Sequence, residues 1–257
     1  MNKKLSMLDP KTQTSQDELY YSGILEYFEH SAGDTLTKLR DFPKYIPRQS
    51  LSGFLAKNEI FKDVLDVHGH IVECGVFMGG GLLTWAQLSA IYEPYNHVRR
   101  VVGFDTFTGF PSLTEEDKPK QEAALDFAQV GGLAVARIEA DIGRATELYD
   151  LNRPIGHIPR IELVKGDACK TIPKYVENNR HLVVAMLYLD FDLYEPTVAA
   201  LNAFLPRMPK GAVIVFDELN QKQWPGETLA VLNTVGIRNL RIRRFPFTPQ
   251  ISYAVLE

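Results

Sequence analysis

Cysteine is scarce in this chain. There are two, Cys74 and Cys169, far apart and outside any CxxC pair, so neither a disulfide framework nor a zinc site has support. The six histidines show no metal-ligand spacing and receive no role. A basic excess is also missing, since the formal net charge is −4. Nucleic acid is therefore not an expected partner, because phosphate binding leaves a basic footprint. Long apolar runs are absent as well. The longest, Leu182 to Leu189, is far too short to span a bilayer, so no membrane partner is expected. Lys3 and Lys4 are not followed by an apolar segment, so no secretory signal is read and a cytoplasmic protein is expected. What is present, 45% hydrophobic and 23% charged residues in a chain of 257, excludes wholesale disorder and leaves small-molecule chemistry as the default class.

The order of elements predicts an α/β protein. Residues 1–18 are polar, a helical pattern follows over 19–30, and a connection runs through Pro43 and Pro47. The spacing of Leu51, Phe54, Leu55, Ile60, Phe61 and Leu65 predicts one helix face over 50–66. Residues 1–67 read as an N-terminal helical arm and cover. From 68 to 257 strands alternate with helices, the strands being HIVECG (70–75), RVVGFD (100–105), RIELVKGD (160–167), LVVAMLYLD (182–190) and AVIVFD (212–217). Helices are expected near 80–92, 133–149, 169–179 and 195–205. Nearly continuous apolar strands separated by helices predict a parallel sheet covered on both faces, with strands near 239–243 and 250–256 adding an antiparallel edge. Ligands of such sheets bind at the carboxyl ends of the strands.

The first strand ends in Glu73-Cys74-Gly75-Val76-Phe77-Met78-Gly79-Gly80-Gly81. Gly75 and Gly79 are four apart, so the dinucleotide fingerprint G-x-G-x-x-G is not matched. A glycine turn ahead of a helix N-terminus suits either the methionine part of S-adenosylmethionine or packing alone. Asp105, before Thr106, either accepts adenosine ribose hydroxyls or caps the following turn. Asp167, before Ala168, either accepts from an adenine amino group or caps the next helix. Asp190 closes a very apolar strand, a costly place for a charge, and the fifth strand ends in Asp217-Glu218. Adjacent strands bring these three carboxylates together, where repulsion calls for an oxygen-ligated cation such as Mg²⁺ or Mn²⁺. Asp192 and Glu195 fit a capping box and are read as mainly structural. The segment 109–159 is a lid candidate, and its charged beginning (Glu115, Glu116, Asp117, Lys118, Lys120) reads as a solvated face. Trp224 is either an apolar wall for a sugar ring or ordinary packing, and the run Arg238, Arg241, Arg243, Arg244 reads as a solvated edge strand.

Together VECGVFMGGG, GFDTFTGFP, LYLDFDLYEPT and VFDELN, with YIPRQSL before them and WPGET after, span about residues 45–230. This set resembles the metal-dependent sugar O-methyltransferases of antibiotic biosynthesis, the macrocin, mycinamicin and novobiocin-type enzymes with their nucleotide-deoxyhexose 3-O-methyltransferase relatives. The resemblance implies a class I methyltransferase (Rossmann-like) fold with a seven-stranded sheet, S-adenosylmethionine as donor and Mg²⁺ as activator. It implies Asp190, Asp217 and Glu218 as metal ligands, Asp190 also as general base, and Glu73, Gly75, Val76, Gly79, Gly80, Asp105, Thr106, Asp167 and Ala168 around the donor. Two positions depart from the family pattern. Glu218 stands where Asp is frequent, and Gly81 where Ser is frequent, a lost donor contact that Arg48 is expected to supply. The expected acceptor is a small-molecule sugar or glycosylated substrate, and a homo-oligomer is expected. Two competing readings keep part of this picture: a catechol-type acceptor, and a non-catalytic nucleotide-binding protein.

Overall fold

The computed structural model describes residues 14–119 and 125–257; Lys3, Lys4 and Lys120 lie outside them. Two compact units are formed, Met1–Ser52 and Gly53–Glu257. The first holds α1 (Ser15–His30), α2 (Thr35–Arg40), a 3₁₀ turn at Phe42–Lys44, and the start of α3 (Arg48–Asp63), which ends in the second unit. Thr14 and Asp17 close a reciprocal cap on α1, and Asp34 accepts from the Thr37 N–H at 2.8 Å to start α2. The helix α2 occupies what the prolines suggested was plain connection.

The second unit is built on one seven-stranded sheet. Its strands are β1 (His70–Cys74), β2 (Val101–Asp105), β3 (Ile161–Lys165), β4 (Val184–Leu189), β5 (Val213–Phe216), β6 (Arg243–Phe245) and β7 (Thr248–Val255). Their order is β3-β2-β1-β4-β5-β7-β6, with the first five parallel and β7 antiparallel to both β5 and β6. The order reverses between β1 and β4, which creates the crevice where ligands of such sheets bind. Remaining helices are α4 (Gly80–Tyr92), α5 (Ile138–Leu151), α6 (Ala168–Asn178), α7 (Tyr194–Phe204) and α8 (Pro225–Thr234). Arg243 and Arg244 are exposed on the edge strand β6, and Ile237–Asn239 form a 3₁₀ turn where a strand was expected to begin.

Alternate strand residues feed two cores, one on each face of the sheet. On one face Ala56, Ile60 and Phe61 of α3 meet Trp85 of α4, Ile142 and Tyr149 of α5, and Ile71, Met186 and Tyr188. On the other Ile172, Leu201, Phe204 and Val231 meet Val72, Leu187 and Ile214. Large side chains such as Phe104, Phe204 and Phe216 are fully buried, each stabilising the fold by ~1.5–3 kcal/mol relative to exposure. The buried stripe of α3 is Ala56, Ile60 and Phe61, continued by Val64 just past its end, whereas Phe54, Leu55 and Leu65 are exposed. The apolar count overestimated that face because three of its members fall outside the i, i+4, i+5, i+8 stripe. The segment 109–159 is not uniform either, because Ile138, Ile142 and Tyr149 of α5 are core residues. No helix among the described residues is long and apolar enough to cross a membrane.

Candidate active site

Every parallel strand is followed by a residue in the left-handed region. Gly75 and Phe77 follow β1, Phe107 follows β2, Gly166 follows β3, Asp192 follows β4 and Asn220 follows β5. Four of these are not glycine, and such strained backbone concentrates where a site is held in place.

The glycine turn explains itself by packing. A Cβ on Gly75 would lie 1.9 Å from the carbonyl oxygen of Asp190, and one on Gly79 would lie 2.9 Å from Ile142. Neighbouring protein alone thus requires glycine at these two positions. Gly80, at the first position of α4, faces open space. Val76, itself buried, and Phe77 donate their N–H groups to Asp105 Oδ2 at 2.8 and 2.9 Å, while the Phe107 N–H donates to Oδ1 at 2.7 Å. Asp105 therefore fastens the end of β1 to the end of β2. The Thr106 hydroxyl closes the next turn on the Gly109 carbonyl at 2.6 Å. Asp167 caps α6 through the Cys169 N–H at 3.0 Å and pairs with Lys170 at 2.8 Å, which holds its carboxyl below the usual range. Ala168 is buried at the first position of α6.

Glu73 is 1% exposed and lies beneath the first turn of α4. Its Oε2 has no hydrogen-bond partner among the described residues. Burial pushes its carboxyl up to about 8, with the positive charge of Lys57 opposing. A Cβ on Gly81 would come within 2.6 Å of Glu73 Oε1. The glycine at 81 thus lies against the buried acid below it, and a serine there requires the Glu73 carboxylate to shift. Arg48 opens α3 in the first unit.

Strand register assembles the acidic cluster. Cys74 lies opposite Leu189 and Leu189 opposite Phe216, so Asp190 and Asp217 emerge side by side from β4 and β5. Oxygens of Asp190, Asp192 and Glu218 all lie within 4.8 Å of one another. Asp217 stands beside them, and its Oδ1 accepts the proton of the Tyr188 hydroxyl. Burial, then repulsion from Asp217 and Asp192, pushes the Asp190 carboxyl far up; burial and Asp217 push Asp192 up to about 7. Glu218 and Glu227 are raised by the same two causes. Glu218 Oε2 is buried without a hydrogen-bond partner among the described residues. Acids so placed stay together at neutral pH by holding protons or by sharing a cation, and an all-oxygen set suits Mg²⁺ or Mn²⁺.

The capping-box reading of Asp192 is overturned. The helix α7 starts at Tyr194 with Leu193 as its N-cap, and that cap makes no side-chain hydrogen bond. Asp192, at φ 63°, turns its carboxylate into the acidic group instead. The missing cap comes from Asp117, whose Oδ1 accepts the Tyr194 N–H at 2.6 Å. Asp117 is 2% exposed, so the charge run around it is not entirely a solvated face. Trp224, just before α8, tilts against Phe110 and Phe127 with ring centroids 5.6 and 6.0 Å away. It is a wall of the 109–159 segment.

Three contributors escaped the sequence reading. Glu227 is fully buried and accepts the Glu218 N–H at 3.2 Å, behind the cluster. Its signal was WPGET itself, a proline at the first helical position with an acid two residues on. Asp117 and Lys57 left no local signal, because their partners are distant in sequence.

A family model described as macrocin-O-methyltransferase (TylF) matches residues 55–231. The solved structure of the calicheamicin methyltransferase CalS11 is similar, with 34% identity over 95% of this chain and 93% of that one, at a TM-score of 0.89. A second structure of CalS11, described as a TDP-rhamnose 3′-O-methyltransferase of calicheamicin biosynthesis, has 31% identity over 95% of each chain and a TM-score of 0.81. The O-methyltransferase NovP shares the fold at 22% identity over 79% of this chain and 78% of that one, TM-score 0.61. No curated relative matches.

Proposed function

Because the chain belongs to the macrocin-O-methyltransferase family and is therefore an S-adenosylmethionine-dependent O-methyltransferase, we propose that it methylates a sugar hydroxyl with the help of Mg²⁺ or Mn²⁺. The sugar reading rests on the likeness to CalS11, described as acting on TDP-rhamnose. The metal reading is carried by one observation, the three carboxylates whose oxygens lie within 4.8 Å.

In this reading the donor lies along the turn from Gly75 to Gly80, with Asp105, Thr106, Asp167 and Ala168 on its nucleoside side. Asp190, Asp192 and Glu218 would hold the cation, and Asp217 would complete the set with the oxygen that Tyr188 leaves free. A bound divalent ion would supply Lewis acidity toward vicinal sugar oxygens. Asp190, beside the glycine turn, accepts the proton of the attacking hydroxyl. The backbone contact between Gly75 and Asp190 fixes the distance from turn to base, which is the alignment an in-line methyl transfer requires. Phe110, Phe127 and Trp224 form an apolar surface that suits the face of a sugar ring.

The test is S-adenosylhomocysteine formation from S-adenosylmethionine and a TDP-deoxysugar, in Mg²⁺ or in EDTA, with a catechol as the rival acceptor. We expect sugar-dependent turnover that EDTA abolishes, and an Asp190→Asn variant slower by ~10²–10⁴-fold. Turnover indifferent to EDTA, or with the catechol alone, would refute the proposal.

A further inference from the structure

One cation stands behind the acidic cluster and is not explained by donor binding. The Lys57 ammonium, on α3, donates to the phenol oxygen of Tyr188 at 3.0 Å and lies 4.4 Å from the centroid of its ring. Tyr188, on β4, is 1% exposed, with Trp85 packed edge-on against it at 5.6 Å. Its hydroxyl in turn donates to Asp217 Oδ1.

The polarity of this chain follows from valence. An ammonium has donors only, and a phenol has one proton. The Tyr188 oxygen must therefore accept from Lys57, and its single proton goes to Asp217. Asp217, with Oδ1 anchored by Tyr188, would offer its other oxygen to a cation held by the neighbouring acids. Tyr188 stands between the ammonium and that carboxylate, so Lys57 is linked to the acids without occupying their shared space.

We propose that Lys57 is a positioning residue for the divalent cation, acting through Tyr188 to fix the orientation of Asp217. The inference rests on the metal reading given above. Its sign separates it from simple electrostatics. Removing a positive charge near a cation site strengthens cation binding if charge alone matters. Removing the partner that orients a ligand weakens it, typically by ~10–100-fold.

The experiment measures Mn²⁺ affinity of the full-length protein by electron paramagnetic resonance, with no donor or acceptor present. Lys57→Met should bind Mn²⁺ ~10–100-fold more weakly, and Lys57→Arg, which keeps charge and donors, should restore most of the loss. Tyr188→Phe preserves the buried ring and breaks the relay, so it should weaken binding to a similar degree. The double variant Lys57→Met/Tyr188→Phe should be little worse than either single one. If the wild type binds Mn²⁺ and Lys57→Met binds it equally or more tightly, the positioning role is overturned and the metal reading stands. If the wild type binds no Mn²⁺, both are overturned.

Discussion

Replacing Glu73 by Gln removes a titration while nearly preserving shape, and the consequence can be worked out. Burial raises the Glu73 carboxyl from 4.5 to about 8 in the folded chain. Below pH 4.5 folded and unfolded chains both hold the proton, so the group contributes no pH dependence. Between about 4.5 and 8 the unfolded chain releases it while the folded chain keeps it, so folding loses about 1.4 kcal/mol per pH unit. From pH 5 to pH 7.5 this amounts to on the order of 3 kcal/mol. The Gln variant has no such loss. Asp190 and Asp217 repel Glu73 only weakly beside the effect of burial, which is the first cause of its shift, so most of the other acids' titration is common to both proteins. Urea unfolding at several pH values, in EDTA, should therefore show the variant gaining on the wild type by on the order of 3 kcal/mol as pH rises. A difference that stays flat across that range, or shrinks, would refute the argument that burial of Glu73 outweighs the opposing charge of Lys57.

Asp117→Ala should destabilise the protein by ~1–3 kcal/mol, since it strips the half-buried Tyr194 N–H of its acceptor. Faster amide exchange at Tyr194 and faster proteolysis within 109–137 are the accompanying readouts. Gly81→Ala gains up to ~1 kcal/mol of helix propensity, but its Cβ would meet the Glu73 carboxylate at 2.6 Å, a crowding that costs ~1–3 kcal/mol. We expect a net loss in thermal unfolding, absent when the change is made on a Glu73→Ala background. The helix α1 buries none of its residues and exposes Leu19 and Leu25. If this exposed apolar surface joins two copies of the chain, light scattering should find an oligomer that dissociates on Leu19→Glu/Leu25→Glu substitution, and a monomer would refute that role for α1.

Much of the architecture was legible because burial on both faces leaves an unmistakable signature. The runs at 182–190 and 212–217 read as strands of a covered sheet, and they hold β4 and β5. Asp190 and Asp217 were legible for the same reason, as charges closing apolar runs. Asp192 was misjudged because its spacing to Glu195 mimics a helix cap, and short-range spacing cannot reveal that Asp117 already supplies one from 77 residues away. Lys57 meets Tyr188 across 131 residues, a pairing created where α3 and β4 share one core. The short helix α8 was missed although Pro225 marks its first turn, because no clear apolar period follows.

The wedge of Gly75 against the Asp190 carbonyl bears on how such a protein can diversify. Under the proposed chemistry, it welds the methyl source to the proton acceptor, and no loop change elsewhere can alter their spacing. New acceptors must then be accommodated from the opposite wall, around Phe110, Phe127 and Trp224, so that the reacting geometry is inherited unchanged while the shape of the customer varies.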